Sequence, residues 1–291
     1  MAASQLSERA ASGFAKAALY DQHRPSYPSD AVQALLEAAG VSGVDAASLI
    51  DLAAGTGKFT ELLAARDEHY NIIAVEPHKE MREQLERKKL DKVTVVEGLS
   101  TAIPAGSECA DAVFAAQAFH WFANAESLEE IHRVLKPVGV LGLIWNAEDY
   151  NTPLSYPTSS VWATKLRDYA FYLEEASDDR EPRFRNDQWR KVFESQVSST
   201  PITAALAGGT NSLFSLPLGE EIVKWQDWLD QEALWNRLRT LSHFAVLEGR
   251  RLEVSREVFD EALSDPNVAR DAEGRIKVDG VTVLAWTTKI P

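Results

Sequence analysis

Residues Asp51-Leu-Ala-Ala-Gly55-Thr-Gly57-Lys-Phe-Thr60 follow the apolar run Ala47-Ser-Leu-Ile50, and Glu76 closes a second apolar run downstream. An apolar strand that runs into a glycine turn, opens a helix and is followed by a strand ending in an acid leaves few folds open. The glycines let the backbone approach a ligand, and the first turn of the helix presents N–H groups with no intrahelical partner. The acid at the second strand end is placed to accept hydrogen bonds from ribose hydroxyls. Gly57 and Glu76 are 19 residues apart, close to the roughly 20 expected of one strand–helix–strand unit. The layout predicts a parallel α/β sheet with a pocket for a nucleoside-bearing cofactor.

Three cofactor classes compete for such a turn. A dinucleotide site uses glycine at a third position, so that helix and strand pack closely under a pyrophosphate; here that position is Thr60. A phosphate loop requires Gly-Lys-Ser/Thr, and Gly57-Lys58-Phe59 fails at its last member. S-adenosylmethionine (SAM) carries no phosphate; its aminoacyl end joins a cationic amine to a carboxylate. Asp51 suits that amine and the turn amides suit the carboxylate, so charge favours SAM over NAD.

Further elements follow in a regular rhythm. Strands are expected at 48–52, 71–76, 92–97, 111–116 and 140–145, with a last one near 281–289. Helices are expected at Phe14–Tyr20, Ser29–Ala39 (Ser29 as N-cap, Gly40 as stop), Phe59–Arg66, Lys79–Lys89, Leu128–Leu135, Val161–Ala176 and Glu220–Trp235. Strands alternating with helices at this spacing give right-handed crossovers, with ligands at the C-terminal strand ends. Beyond Trp145 the rhythm breaks. Six of the eight tryptophans lie there: Trp162, Trp189, Trp225, Trp228, Trp235 and Trp286. They fit core packing, and they also fit an aromatic-lined cap over an apolar substrate; the cap is the expectation carried forward.

Composition removes several alternatives. The net charge of −14 repels a nucleic-acid backbone, no apolar run reaches the roughly 18 residues of a membrane span, and the histidines are too dispersed for a metal site. Cys109 is the only cysteine, so no internal disulfide forms. With an N-terminus lacking signal-peptide character, a cytoplasmic protein is expected.

The ordered motifs up to residue 146 resemble the class I SAM-dependent methyltransferases, in the small-molecule branch called methyltransferase type 11. Asp51-Leu-Ala-Ala-Gly55-Thr-Gly57 is similar to the family's first motif, with Ala53 in place of a glycine. Val75-Glu76-Pro77 with Met81 resembles the second motif, and Gly98-Leu-Ser-Thr-Ala-Ile-Pro104 the adenine-side loop. In that loop Leu99 and Ser100 replace the usual acid. Gln117-Ala-Phe-His120-Trp121-Phe122 and Val134-Leu-Lys-Pro137-Val-Gly139 match the ends of strand four and the turn before strand five. Tyr20-x-x-x-Arg24-Pro-x-Tyr27-Pro28 resembles an N-terminal lid.

The resemblance implies a Rossmann-like fold with a mostly parallel seven-stranded sheet, helices on both faces and a helical, aromatic-rich cap. It divides the chain into a lid (1–28), a SAM-binding core (29–146), a substrate cap with returning core elements (147–280) and a final core strand (281–291). It places Tyr20, Arg24, Asp51, Ala53, Gly55, Gly57, Glu76, Pro77, Met81, Leu99, Ser100 and Gln117 around SAM, with S-adenosylhomocysteine as product. Phe122, Trp145 and Trp162 are expected to face a small-molecule acceptor, and His120 is the candidate base. The aromatic cap points to an apolar acceptor. Within the resemblance, the expectation is S-methylation of a dithiol such as gliotoxin, as by fungal bis-thiomethyltransferases. The alternatives are O-methylation of a carboxylate, as in trans-aconitate methyltransferases, and a non-methylating protein of the same fold.

Overall fold

The computed structural model describes residues 23–194 and 212–290. The helix expected at Phe14–Tyr20, and Tyr20 with it, lies outside the described residues. Strands β1 (Ser48–Leu52), β2 (Asn71–Val75), β3 (Val93–Val96), β4 (Ala110–Ala116) and β5 (Leu135–Glu148) run parallel. β6 (Gly219–Leu229) and β7 (Ile276–Thr288) complete a seven-stranded sheet in the order β3-β2-β1-β4-β5-β7-β6, with β7 antiparallel to both neighbours. The chain leaves β1 toward one edge, then returns to β4 and fills the other. The reversal opens a crevice between β1 and β4, where open α/β sheets bind ligands.

Burial on both faces explains the near-continuous apolar character of the central strands. Along β1, Leu49 enters one core while Ile50 and Leu52 enter the other. β5 divides in the same way: Val140 and Ile144 face the first core, and Leu141, Leu143, Trp145 and Ala147 the second. The first core is closed by α1 (Ser29–Ala38) through Leu35 and Leu36, and by α2 (Lys58–Ala64) through Phe59 and Leu63. The second is closed by α4 (Ala125–Val134) through Leu128 and Ile131. Between them α3 (Lys79–Arg87) buries Met81 and Leu85. Each such large apolar side chain contributes about 1.5–3 kcal/mol on leaving water.

Local chemistry sets the helix starts. The Asn124 side chain accepts from Ser127 N at the head of α4. Ser160 accepts from Ala163 N at the head of α5 (Val161–Ala176). For α1 the capping position is Pro28, with no side-chain cap, so Ser29 is the first helical residue and not the N-cap expected of it. After α5 come the short α6 (Lys191–Glu194), whose Phe193 joins the second core, then α7 (Gln231–Leu238), α8 (Ser242–Ala245) and α9 (Gly249–Leu263). α5, α7, α8 and α9 share a third core, in which Tyr150, Trp162, Leu166, Trp235, Phe244 and Phe259 meet.

The segment Glu220–Trp235, expected to be one helix, is mostly strand. Its glutamates and lysine favour helix intrinsically, but Val223, Trp225, Asp227 and Leu229 recur with period two, and pairing with β7 wins. Its charged outer face shields an edge strand from further pairing. Two tryptophans find their place in this ladder. Trp225 lies opposite Gly280 and Trp286 opposite Gly219. A methyl group on either glycine would sit within 2.4 Å and 2.2 Å of the facing indole. Each ring thus covers the bare backbone of its partner, a packing role. The final strand begins at Ile276, earlier than residue 281.

Candidate active site

A cavity of about 330 Å³ opens at the C-terminal ends of β1, β2 and β4, within the range of small-ligand sites. Ala53, Gly55, Glu76, Pro77, Met81, Leu99, Ser100, Gln117 and Phe122 border it, with Arg24 at its rim. A motif dispersed over about a hundred residues therefore converges on one chamber. Gly57, Asp51, His120, Trp145 and Trp162 do not border it.

The turn after β1 explains part of this division. Gly57 caps α2 with φ +85°, where a side chain would be strained; an added Cβ would also meet Leu85 Cδ1 at 2.2 Å. Gly57 thus serves the turn and the helix packing behind it. Ala53 takes the same left-handed region at φ +57°, so the alanine in place of glycine is strained and not merely small. Gln117, at the end of β4, is also left-handed at φ +55°. Two strained residues therefore flank the mouth of the crevice.

Glu76 is 5% exposed and anchored at both oxygens. Gly55 N–H donates to Oε2 (2.8 Å) and His78 N–H donates to Oε1 (2.7 Å). Burial pushes its carboxyl up to about 7, against these two hydrogen bonds. Each oxygen keeps a lone pair for a further donor. Asp51 is fully buried; Thr60 Oγ1 donates to its Oδ2 (2.6 Å), while Oδ1 has no hydrogen-bond partner. Burial raises the Asp51 carboxyl to about 6. Thr60, which breaks the dinucleotide pattern, therefore orients Asp51. On the third side Ser127 Oγ donates to Ser100 Oγ (2.9 Å).

The segment over the mouth is pinned by polar contacts. Gln117 Nε2 donates to Asn146 O (2.7 Å), and Asn146 Nδ2 donates to Ser26 O (3.0 Å). Thr282 Oγ1 donates to Asn146 Oδ1 (2.6 Å) from β7. Arg24 Nη2 donates to Thr240 O (3.2 Å), and the Tyr27 ring packs edge-on against Phe59. Asn146 was given no role from sequence, yet it joins rim, β5 and β7. Its only sequence signal was a polar residue ending an apolar strand.

His120 does not have the geometry of a base. Trp145 Nε1 donates to His120 Nδ1 (3.1 Å). An indole nitrogen only donates, so Nδ1 is the acceptor and Nε2 carries the proton. Burial, then Arg183 and Arg24, lower the imidazole to about 3. Neutral His120 has its one lone pair engaged. Trp145 is fully buried, stacks on Phe184 and packs at a tilt against Trp189, and Trp162 packs near Tyr150 in the third core. Both are core residues, away from the cavity. The tryptophan that borders it is Trp121.

Among the described residues no group of three or more His, Cys, Asp and Glu is arranged to hold a metal, and no helix is long and apolar enough to cross a membrane.

Residues 50–143 match the family model described as a methyltransferase domain. An uncharacterized methyltransferase-like protein of Schizosaccharomyces pombe is 36% identical over 174 residues, 60% of this chain and 62% of that protein. The chain thus spans less than two thirds of that relative's length. A candidate type II methyltransferase from Anaeromyxobacter dehalogenans superposes with a TM-score of 0.60 at 18% identity, covering 92% of this chain and 99% of that one. Phosphoethanolamine N-methyltransferase 2 of Haemonchus contortus, solved with SAM, gives a TM-score of 0.52 at 14% identity, covering 98% and 59%. At these identities the solved structures show the fold, a Rossmann-like methyltransferase architecture.

Proposed function

We propose that this protein is a SAM-dependent methyltransferase acting on a small molecule. The observation that carries this reading is the cavity itself. It brings the doubly anchored Glu76, the strained turn at Ala53 and the Ser100 hydroxyl to the C-terminal ends of three parallel strands. The residues fit the cofactor. Glu76 retains lone pairs for ribose hydroxyls, while Met81, Pro77 and Leu99 offer apolar walls for a purine. Asp51 keeps an unpartnered Oδ1 but is fully buried and stands off the cavity, so its negative charge favours a cationic amine at a distance and not by contact. Bound SAM would supply an electrophilic methyl on a sulfonium whose leaving group departs neutral.

The protein's own contribution is alignment in a site closed from water, worth about 7–11 kcal/mol in oriented reactions. The Arg24–Tyr27 segment covers the mouth, and Gln117 and Asn146 fix that cover. With His120 engaged by Trp145, the acceptor must be a ready nucleophile or find its base elsewhere. The expected apolar acceptor rested on a tryptophan-lined cap. Of the six tryptophans expected there, Trp162, Trp189 and Trp235 lie in the cores and Trp225 and Trp286 cover glycines, so these five do not support it.

Calorimetry with S-adenosylhomocysteine, and label transfer from methyl-labelled SAM, test the reading. Micromolar binding of S-adenosylhomocysteine is expected, with no thermal stabilisation by NAD. Stabilisation by NAD and none by S-adenosylhomocysteine would overturn it.

A further inference from the structure

Just beyond the cavity rim, the end of β5 meets α7, α8 and the turn at Phe184–Asn186. Glu148 closes β5, is fully buried, and has no hydrogen bond at either carboxylate oxygen. Tyr150 is 1% exposed with an unpartnered hydroxyl. His243, 4% exposed, has an unpartnered Nε2. Arg237 Nη2 donates to Asp227 Oδ2 (2.9 Å), while its Nη1 has no partner. Buried polar atoms are almost always hydrogen-bonded, so several orphans in one region require an explanation.

The region adjoins the methyl-transfer cavity. Side chains two apart on a strand share a face, so Glu148 lies on the same side of β5 as Asn146, which binds Gln117 and Ser26 at the cavity. Arg24, on the rim, is tied to Thr240 O between α7 and α8. Its charge is felt by both Tyr150 and His243. Arg185 Nη1 donates to Asn151 Oδ1 (2.6 Å), beside Tyr150, and lies 3.4 Å from His243 Nδ1. An arginine only donates, so His243 Nδ1 accepts and Nε2 carries the proton. Burial, with Arg185 and Arg183, keeps that imidazole neutral. The neighbouring cations are already committed. Arg183 pairs with Glu174 and Asp179, and Arg185 with Glu174.

The orphaned atoms therefore have a definite chemical sense. Glu148 offers two acceptor oxygens, while Tyr150 Oη, His243 Nε2 and Arg237 Nη1 offer donors. We propose that Glu148, Tyr150 and His243 form the acceptor-binding subsite, taking a small molecule that carries a hydroxyl or amine donor beside a carbonyl or carboxylate oxygen. This rests on the methyltransferase reading and names the acceptor class for it. Donor groups of the ligand meet Glu148, and its oxygen meets Tyr150 and His243. An acceptor carrying only a thiol on a hydrocarbon chain would leave all three buried and unpaired.

Unpaired polar groups held for a ligand lower the stability of the free protein, and this separates recognition from structure. Tyr150→Phe is expected to raise Tm by about 2 °C, with affinity for S-adenosylhomocysteine within twofold of the parent. With S-adenosylhomocysteine bound, the parent is then challenged with serine, salicylate, 3,4-dihydroxybenzoate and hexanethiol. At least one of the first three is expected to raise Tm, and that response is expected to disappear in Tyr150→Phe and in Glu148→Gln. The subsite is overturned by a lower Tm in Tyr150→Phe, which would make the hydroxyl a structural group. It is equally overturned by no response to any polar probe, by a response to hexanethiol alone, or by a polar response that survives both substitutions. Failure of the parent to bind S-adenosylhomocysteine would strike the methyltransferase reading instead, a separable result.

Discussion

Glu76 should make cofactor binding depend on pH near neutrality. Burial raises its carboxyl from the ordinary 4.5 to about 7, with the nearby Asp51 charge acting in the same direction. Ribose hydroxyls donate to the ionised form, so binding requires the proton to leave. At pH 8 Glu76 in the free protein is mostly ionised and affinity for S-adenosylhomocysteine is near its plateau. At pH 6 only about a tenth is ionised, so affinity falls about tenfold. Asp51, raised to about 6, adds a further loss below that.

The sign for stability runs the other way. The folded protein holds this proton more tightly than the unfolded chain, so the free protein loses stability as pH rises from 4.5 through about 7. The loss totals about 3 kcal/mol from Glu76. Glu76→Gln should remove both dependences: weaker binding at pH 8, little further change at pH 6, and a more stable free protein at pH 8. Calorimetric titration between pH 6 and 8, paired with urea denaturation of the free protein, reads both. A flat affinity profile in the parent, or a Glu76→Gln variant that keeps the parent's slope, would refute the assignment of ribose to Glu76.

Three smaller perturbations probe the same site. Ala53→Gly relieves a left-handed alanine at about 1–2 kcal/mol but adds unfolded-chain entropy of about 0.5–1 kcal/mol, so a net gain of about 0.5–1 kcal/mol is expected in urea. Gly57→Ala combines φ +85° with a 2.2 Å clash on Leu85 Cδ1; a loss of about 2–4 kcal/mol is expected, with weakened binding of S-adenosylhomocysteine. His120→Leu leaves the Trp145 indole N–H buried without its acceptor, costing about 1–3 kcal/mol in thermal or urea denaturation. Because His120 is held near 3, the pH profile of any turnover should show no ionisation lost with it.

The elements legible in sequence were those whose patterns are local. β1 and β2, the glycine turn and the helix Val161–Ala176 were readable because apolar runs, a glycine pair and an amphipathic period each act within a few residues. β6 was misread because its residues, weighed alone, favour helix. What makes Gly219–Leu229 a strand is β7, far along the chain, and above all the meeting of Trp225 with Gly280. No window of the sequence contains both. The same reason misassigned the tryptophans: an indole that covers a distant glycine looks in sequence like one free to face a ligand.

The same distinction divides the active site. The cofactor half is built from strand ends and the turns that directly follow them, so Ala53, Gly55, Glu76 and Gln117 sit where motif order puts them. Their roles depend on backbone near in sequence, as when Gly55 and His78 N–H groups anchor Glu76. The other half draws Glu148 and Tyr150 from β5 and its turn, His243 from α8, and Arg24 from before the first described helix. Nothing in the spacing of these residues foretells that they meet. What marks them is an energetic fact visible only once the chain is folded: polar atoms taken out of water with nothing given in return. A fold selected for stability alone would have replaced or paired Glu148, since a buried unpaired carboxylate is among the costliest groups a core can hold. Its retention beside a cofactor-sized cavity is therefore better explained by a ligand that completes it than by packing.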